Sequence, residues 1–145
     1  GDMCNETAPW DARGDAPPQG RESAYWAEDM LWYGTTGAAY TISEFEKGQR
    51  DFRRTLCDRK FVGHVTRFAE GDFGCFFGWP SIINTPVGGY LGLPGGRCPA
   101  EMQVVEVYAR RGDKIAENWA ITDIPYWLAQ QGLEVFPACA EGKRA

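Results

Sequence analysis

Histidine is almost missing from this chain. His64 is the sole imidazole among 145 residues, which excludes a multi-histidine metal site within one chain. No D-x-D-x-D-G loop is present to cage a hard cation either, so the expectation is no metal. The five cysteines (Cys4, Cys57, Cys75, Cys98 and Cys139) are odd in number and scattered, without a C-x-x-C pair. That spacing argues against a disulfide framework or zinc site and predicts reduced thiols in a cytoplasmic protein. No apolar run approaches the roughly 20 residues that span a bilayer, so no membrane partner is expected. The first 24 residues are polar and show no signal-peptide pattern. Positive charge is also scarce: the net charge of −5 argues against a nucleic-acid partner, which needs a basic surface. Arg53-Arg54 and Arg110-Arg111 read as solvated pairs, and Arg13-Gly14-Asp15 as a chance triplet. There is no internal repeat.

What the chain has in quantity is aromatic carbon: six Trp, six Tyr and eight Phe, within 43% hydrophobic residues. A single domain of this size can build a core, and such aromatic weight can also line an apolar cavity. Residues 1–24 (GDMCNETAPWDARGDAPPQGRESA) follow neither period and read as an extended or disordered arm. The domain is expected over residues 25–138, with a tail at 139–145.

Within the domain, Ser23 to Met30 could open as a helical turn, and Met30 to Tyr33 is a short apolar strand. Thr41-Ile42-Ser43-Glu44 is a capping box, and Phe45, Phe52 and Leu56 define the apolar face of a helix of about four turns ending near Cys57-Asp58. Strands are predicted at Phe61–Ala69 and Phe73–Ile83, with a bulge at Pro80, which cannot donate to a ladder. A glycine-rich loop runs from Asn84 to Cys98. Met102–Ala109 and Lys114–Thr122 then form a hairpin around Gly112. Asp123-Ile124-Pro125 reads as a helix start and Gly132 as its stop. Short turns imply a mainly antiparallel sheet, and the order implies an α+β fold with helices on one face. Alternation sets Asp123 on the side of Trp119 and Ile121, so its carboxyl either faces an apolar surround or caps the helix.

The phrases EDMLWYG (Glu28–Gly34), RFAEGDF (Arg67–Phe73), GWPS (Gly78–Ser81), GGYLGLPGGR (Gly88–Arg97) and GDKIAENWAITDI (Gly112–Ile124), in this order, resemble the SnoaL-like polyketide cyclases. That family lies in the nuclear transport factor 2-like superfamily, of cystatin-like cone shape, and the resemblance is nearest to the carboxy-terminal half of its tandem-domain members. It implies a curved sheet folded into a cone, an apolar pocket, a small hydrophobic or polyketide-like ligand, and a homodimer. It also implies acid/base chemistry without a cofactor: intramolecular aldol closure or a related lyase or isomerase reaction. In the family the acid/base aspartate sits where Asp123 stands, while Glu106 occupies a position held by histidine in the cyclases. His64 is a candidate to supply the imidazole, or is a strand-surface residue. Tyr108 and Asn118 could polarise a carbonyl, although Asn118 has the opposite parity to Asp123. Trp32, Tyr33, Trp79 and Trp119 are candidate pocket walls or ordinary core. One departure is the proline-rich arm where the family has lid helices. The alternatives are a hydrolase or dehydratase on the same cone, or a non-catalytic binding or dimeric assembly module.

Overall fold

The computed structural model describes residues 25–133; the arm at 1–24, the tail at 139–145 and the question of lid helices lie outside those residues. Among the described residues, seven strands form one curled, open sheet with two helices, an α+β architecture. In chain order these are β1 (Trp26–Gly34), β2 (Gly37–Ala39), α1 (Ile42–Arg53), β3 (Leu56–Phe61), β4 (Thr66–Glu70), β5 (Phe73–Pro86), β6 (Ala100–Arg111), β7 (Lys114–Thr122) and α2 (Ile124–Ala129). The spatial order is β2-β1-β7-β6-β5-β3, with β4 also on β5. All pairings are antiparallel except β1 with β7.

Local chemistry accounts for most boundaries. Thr41 Oγ1 accepts the Glu44 amide at 3.2 Å, and Glu44 Oε2 reaches back to the Tyr40 amide at 2.8 Å, so the capping box starts α1. The helix ends at Arg53, one turn earlier than the periodicity predicts, because Leu56–Phe61 pairs with β5 instead of continuing it. The single strand expected at Phe61–Ala69 is likewise broken, at Val62–Val65, into β3 and β4. Tyr25 is helical and Trp26–Met30 is strand, captured by parallel pairing with β7, so the helical turn expected to open at Ser23 does not extend into Trp26–Met30. The Pro80 bulge is present: β5 and β6 lose register between Gly78 and Ile82. Gly112 turns the β6–β7 hairpin with φ of +65°.

Both helices cover the same side of the sheet. Trp127 and Leu128 of α2 pack on Ala100, Met102 and Val104 of β6, and Phe45 of α1 lies against Trp26 and Trp32 of β1. This inner face holds the core, where each large side chain contributes about 1.5–3 kcal/mol on burial. Trp127 is 1% exposed and its indole N–H donates to Asn84 Oδ1 at 3.1 Å. Cys57 is disulfide-bonded, whereas Cys75 and Cys98 are free. That corrects the expectation of reduced thiols throughout and removes the support they lent to a cytoplasmic location. No helix among the described residues is long and apolar enough to cross a membrane.

Candidate active site

Strand alternation decides which polar groups point into the cone. Because Ala100, Met102 and Val104 face the helices, Glu106 and Tyr108 follow them inward along β6. Register carries that face across the sheet: Phe76 of β5 and Ala120 of β7 stand beside Glu106, and Asn118 stands beside Tyr108. On β1, Trp32 pairs with Asn118 and turns the same way.

One polar cluster results. The Tyr108 hydroxyl donates to Glu106 Oε2 in a short bond, and Asn118 Nδ2 donates to the same oxygen at 3.3 Å and to the Val107 carbonyl at 3.1 Å. Asn118 is 2% exposed. Glu106 keeps some accessible area, but its carboxyl group is largely shut from water. Burial pushes that carboxyl above its ordinary range, and the bonds from Tyr108 and Asn118 oppose the shift only in part. Burial first, then the neighbouring Glu106, pushes the Tyr108 phenol far upward, so it remains a proton donor. Both partners of the carboxyl are neutral. Oε2 accepts from both of these donors.

Aromatic rings surround the cluster. Trp26 approaches Tyr108 at 6.0 Å and Phe45 at 5.1 Å, and Phe76 approaches Tyr108 at 5.8 Å. The Trp32 indole lies across Gly34, where a Cβ would collide with its ring; glycine therefore lets it lie along the inner face.

His64 is one ring removed from the carboxyl. It stacks on Phe76 at 3.8 Å, and its Nδ1 accepts from Arg67 Nε at 2.7 Å. Burial chiefly, and the Arg67 charge secondarily, lower its pKa, which keeps the imidazole neutral with its proton on Nε2. Phe76, the cross-strand neighbour of Glu106, stands between His64 and that carboxyl.

Asp123 is placed elsewhere. It lies three residues beyond Ala120, about 10 Å along the strand direction, with odd rather than even parity. Its Oδ1 accepts the Tyr126 amide at 3.0 Å and its own amide donates to Gln103 O at 3.0 Å. The structure thus takes the capping alternative. Tyr33 and Trp119 stack on each other at 6.1 Å on the outer face, and Trp79 is 57% exposed at the bulge. These three do not join the cluster. Trp26, Phe45 and Phe76 do, and sequence reading missed them; the available signal was that Phe76 and Trp32 share parity with Glu106 once the strands are paired. Among the described residues no three His, Cys, Asp or Glu side chains gather as a metal would require.

A strand-built cone with a buried carboxyl invites comparison with known folds. No protein-family model matches the chain, and no curated protein matches it. Solved structures do. A candidate SnoaL-like polyketide cyclase of Jannaschia sp. CCS1 superposes with a TM-score of 0.65 at 13% identity, covering 80% of this chain and 78% of that one. IdmH, a candidate polyketide cyclase of Streptomyces antibioticus, gives 0.59 at 20% identity over 76% and 84%. A protein of Catenulispora acidiphila with a ketosteroid isomerase-like fold, in complex with trimethylamine, gives 0.60 at 13% over 76% and 78%. The fold is SnoaL-like. Within that SnoaL-like cone, Glu106 is the carboxyl that the inner face encloses, and Asp123 is the one that it leaves at a helix end.

Proposed function

We propose that the SnoaL-like cone binds a small, largely apolar carbonyl compound, of polyketide-like character, and moves a proton at the carbon beside that carbonyl. Glu106 is the acid/base. Its carboxylate takes the α-proton to leave an enolate, and the same carboxylic acid returns a proton to carbon or to the alkoxide formed by aldol closure. Tyr108 O–H and Asn118 Nδ2 hold the ionised carboxylate through Oε2. His64, neutral and tethered by Arg67, offers Nε2–H to a carbonyl oxygen at the edge of the ring cluster. No cofactor is needed, since the carbonyl itself acidifies the C–H bond. The observation that carries the reading is a carboxyl buried among aromatic rings with only neutral partners, the setting that tunes such a group towards neutral pH.

α-Tetralone is a suitable probe, because its α-protons exchange slowly without a catalyst. The expected result is enzyme-accelerated deuterium uptake by NMR that falls at least about 100-fold in Glu106→Gln, within the usual contribution of a general acid/base. Equal uptake in that variant would overturn the role of Glu106. A second reading, a binding module without chemistry, is favoured by the contacts that Trp26, Phe45, Phe76 and Tyr108 already make with one another. It predicts saturable quenching of tryptophan fluorescence by the ketone with no exchange in the parent protein.

A further inference from the structure

The break in β5 sets one buried hydroxyl on the inner face. Gly78 pairs with Val104 and Ile82 with Met102, so β5 takes four steps where β6 takes two. Simple alternation from Gly78 would send Ser81 to the outer face. Instead its side chain folds back, and Oγ fills the space that a Cβ on Gly78 would need. Gly78 stands beside Val104, a member of the core, so the hydroxyl lies on the inner side. Ser81 is 2% exposed, whereas Trp79 in the same bulge is 57% exposed. Its backbone is held in place, since Ser81 O accepts the Val62 amide at 2.8 Å. Its Oγ has no hydrogen-bond partner among the described residues. A hydroxyl buried in that way costs stability unless a bound group pairs with it.

The neighbours of this hydroxyl say what such a group is. Phe76, one inward position before Gly78 and about 7 Å along β5, pairs with Glu106. The space over Gly78 is therefore diagonal to Glu106 across the β5–β6 pair, on the order of 7–8 Å between backbones. His64 stacks over Phe76 and belongs to the segment that bridges the same break, where the Val62 amide donates to Ser81 O and the Val65 amide to Phe77 O. A carboxyl, an imidazole N–H and a hydroxyl thus border the Phe76–Gly78 stretch. We propose that Ser81 Oγ–H donates to the carbonyl oxygen of the ligand and forms, with His64, a pair of donors for the enolate oxygen. This assignment rests on the acid/base reading of Glu106. A C–C=O unit spans the gap, with a hydrogen bond of about 2.7 Å at its oxygen and a proton-transfer contact of about 3 Å at its α-carbon. As the proton passes to the Glu106 carboxylate, the C–H electron pair becomes the enolate and its charge gathers on that oxygen. Donors already in place stabilise that charge without rearranging. Bulges re-aim side chains in this manner beside active sites.

Ser81→Ala in the full chain tests the assignment by three readouts. Without ligand the variant should melt above the parent, because an unpaired buried hydroxyl is removed. In equilibrium dialysis the parent should hold α-tetralone more tightly than tetralin, the same rings without the oxygen. Ser81→Ala should lose about fivefold in affinity for the ketone, the contribution of one net hydrogen bond, and nothing for tetralin. The kcat of α-proton exchange should fall about 100-fold, as when one oxyanion donor is removed. Melting below the parent would show that the fold itself uses the hydroxyl, and would overturn the assignment. A ketone preference that is absent from the parent, or unchanged in the variant, would overturn it too. Exchange lost in Glu106→Gln but intact in Ser81→Ala overturns Ser81 alone. A parent without exchange overturns the acid/base role of Glu106, and the dialysis still decides Ser81.

Discussion

Glu106 works against the fold that holds it. Its folded-state pKa lies above the ordinary value of 4.5, so the folded chain binds the proton more tightly than the unfolded chain does. The resulting stabilisation is fully present below pH 4.5 and is lost as pH rises through that value and past the folded pKa. Glu106→Gln is neutral at every pH and can still accept from Tyr108. Its melting temperature should therefore exceed the parent's by a margin that grows from pH 4.5 upward, while the proposed proton transfer disappears. A margin that shrinks with pH would contradict the burial argument. Asp123 gives the complementary test. As an N-cap, Asp123→Ala should lower stability by about 0.5–2 kcal/mol in urea, and Asp123→Asn, an equally good cap, should change it little. Under the proposed mechanism Asp123→Asn also keeps α-tetralone exchange, since its carboxyl is not the one inside the cone.

At the scale of the element, two glycines and a tryptophan show how the strands are kept in place. Gly34 has no room for a Cβ because the Trp32 indole covers it, and Gly78 has none because Ser81 folds over it at the bulge. Gly34→Ala should displace Trp32 from Phe45, seen as altered tryptophan emission and lower stability. Trp127 joins α2 to the inner face and donates to Asn84. Its loss as Trp127→Ala should cost about 3–5 kcal/mol in denaturant unfolding, combining lost transfer energy with the cavity left behind. These elements differ in how far sequence revealed them. The α1 and α2 starts, the β6–β7 hairpin and the Pro80 bulge rest on caps, turns and a missing N–H, all local chemistry that can be read in place. β3 and the first half of β1 could not be read so. LCDRKF and WAEDM lack clear alternation, and each becomes strand because a neighbour supplies hydrogen-bond partners.

For the whole molecule, the Cys57 disulfide adds a constraint that spacing arguments did not anticipate. Denatured, unreduced protein should titrate three thiols rather than the five cysteines of the sequence, and reduction should lower stability by about 2–4 kcal/mol. Five free thiols would remove the cross-link. Sequence alone determined the α+β class, the mostly antiparallel sheet and the resemblance to SnoaL-like proteins, because those follow from periodicity, turn chemistry and ordered phrases along the chain. It also supplied Glu106, Tyr108 and Asn118 as candidates. It did not determine which carboxyl the cone encloses. Parity tells only that Glu106 and Asp123 face opposite sides; which side becomes the interior depends on where α1 and α2 settle. Only the tertiary packing of Trp127 and Phe45 against the even-numbered face made Glu106 the buried acid and left Asp123 to cap a helix.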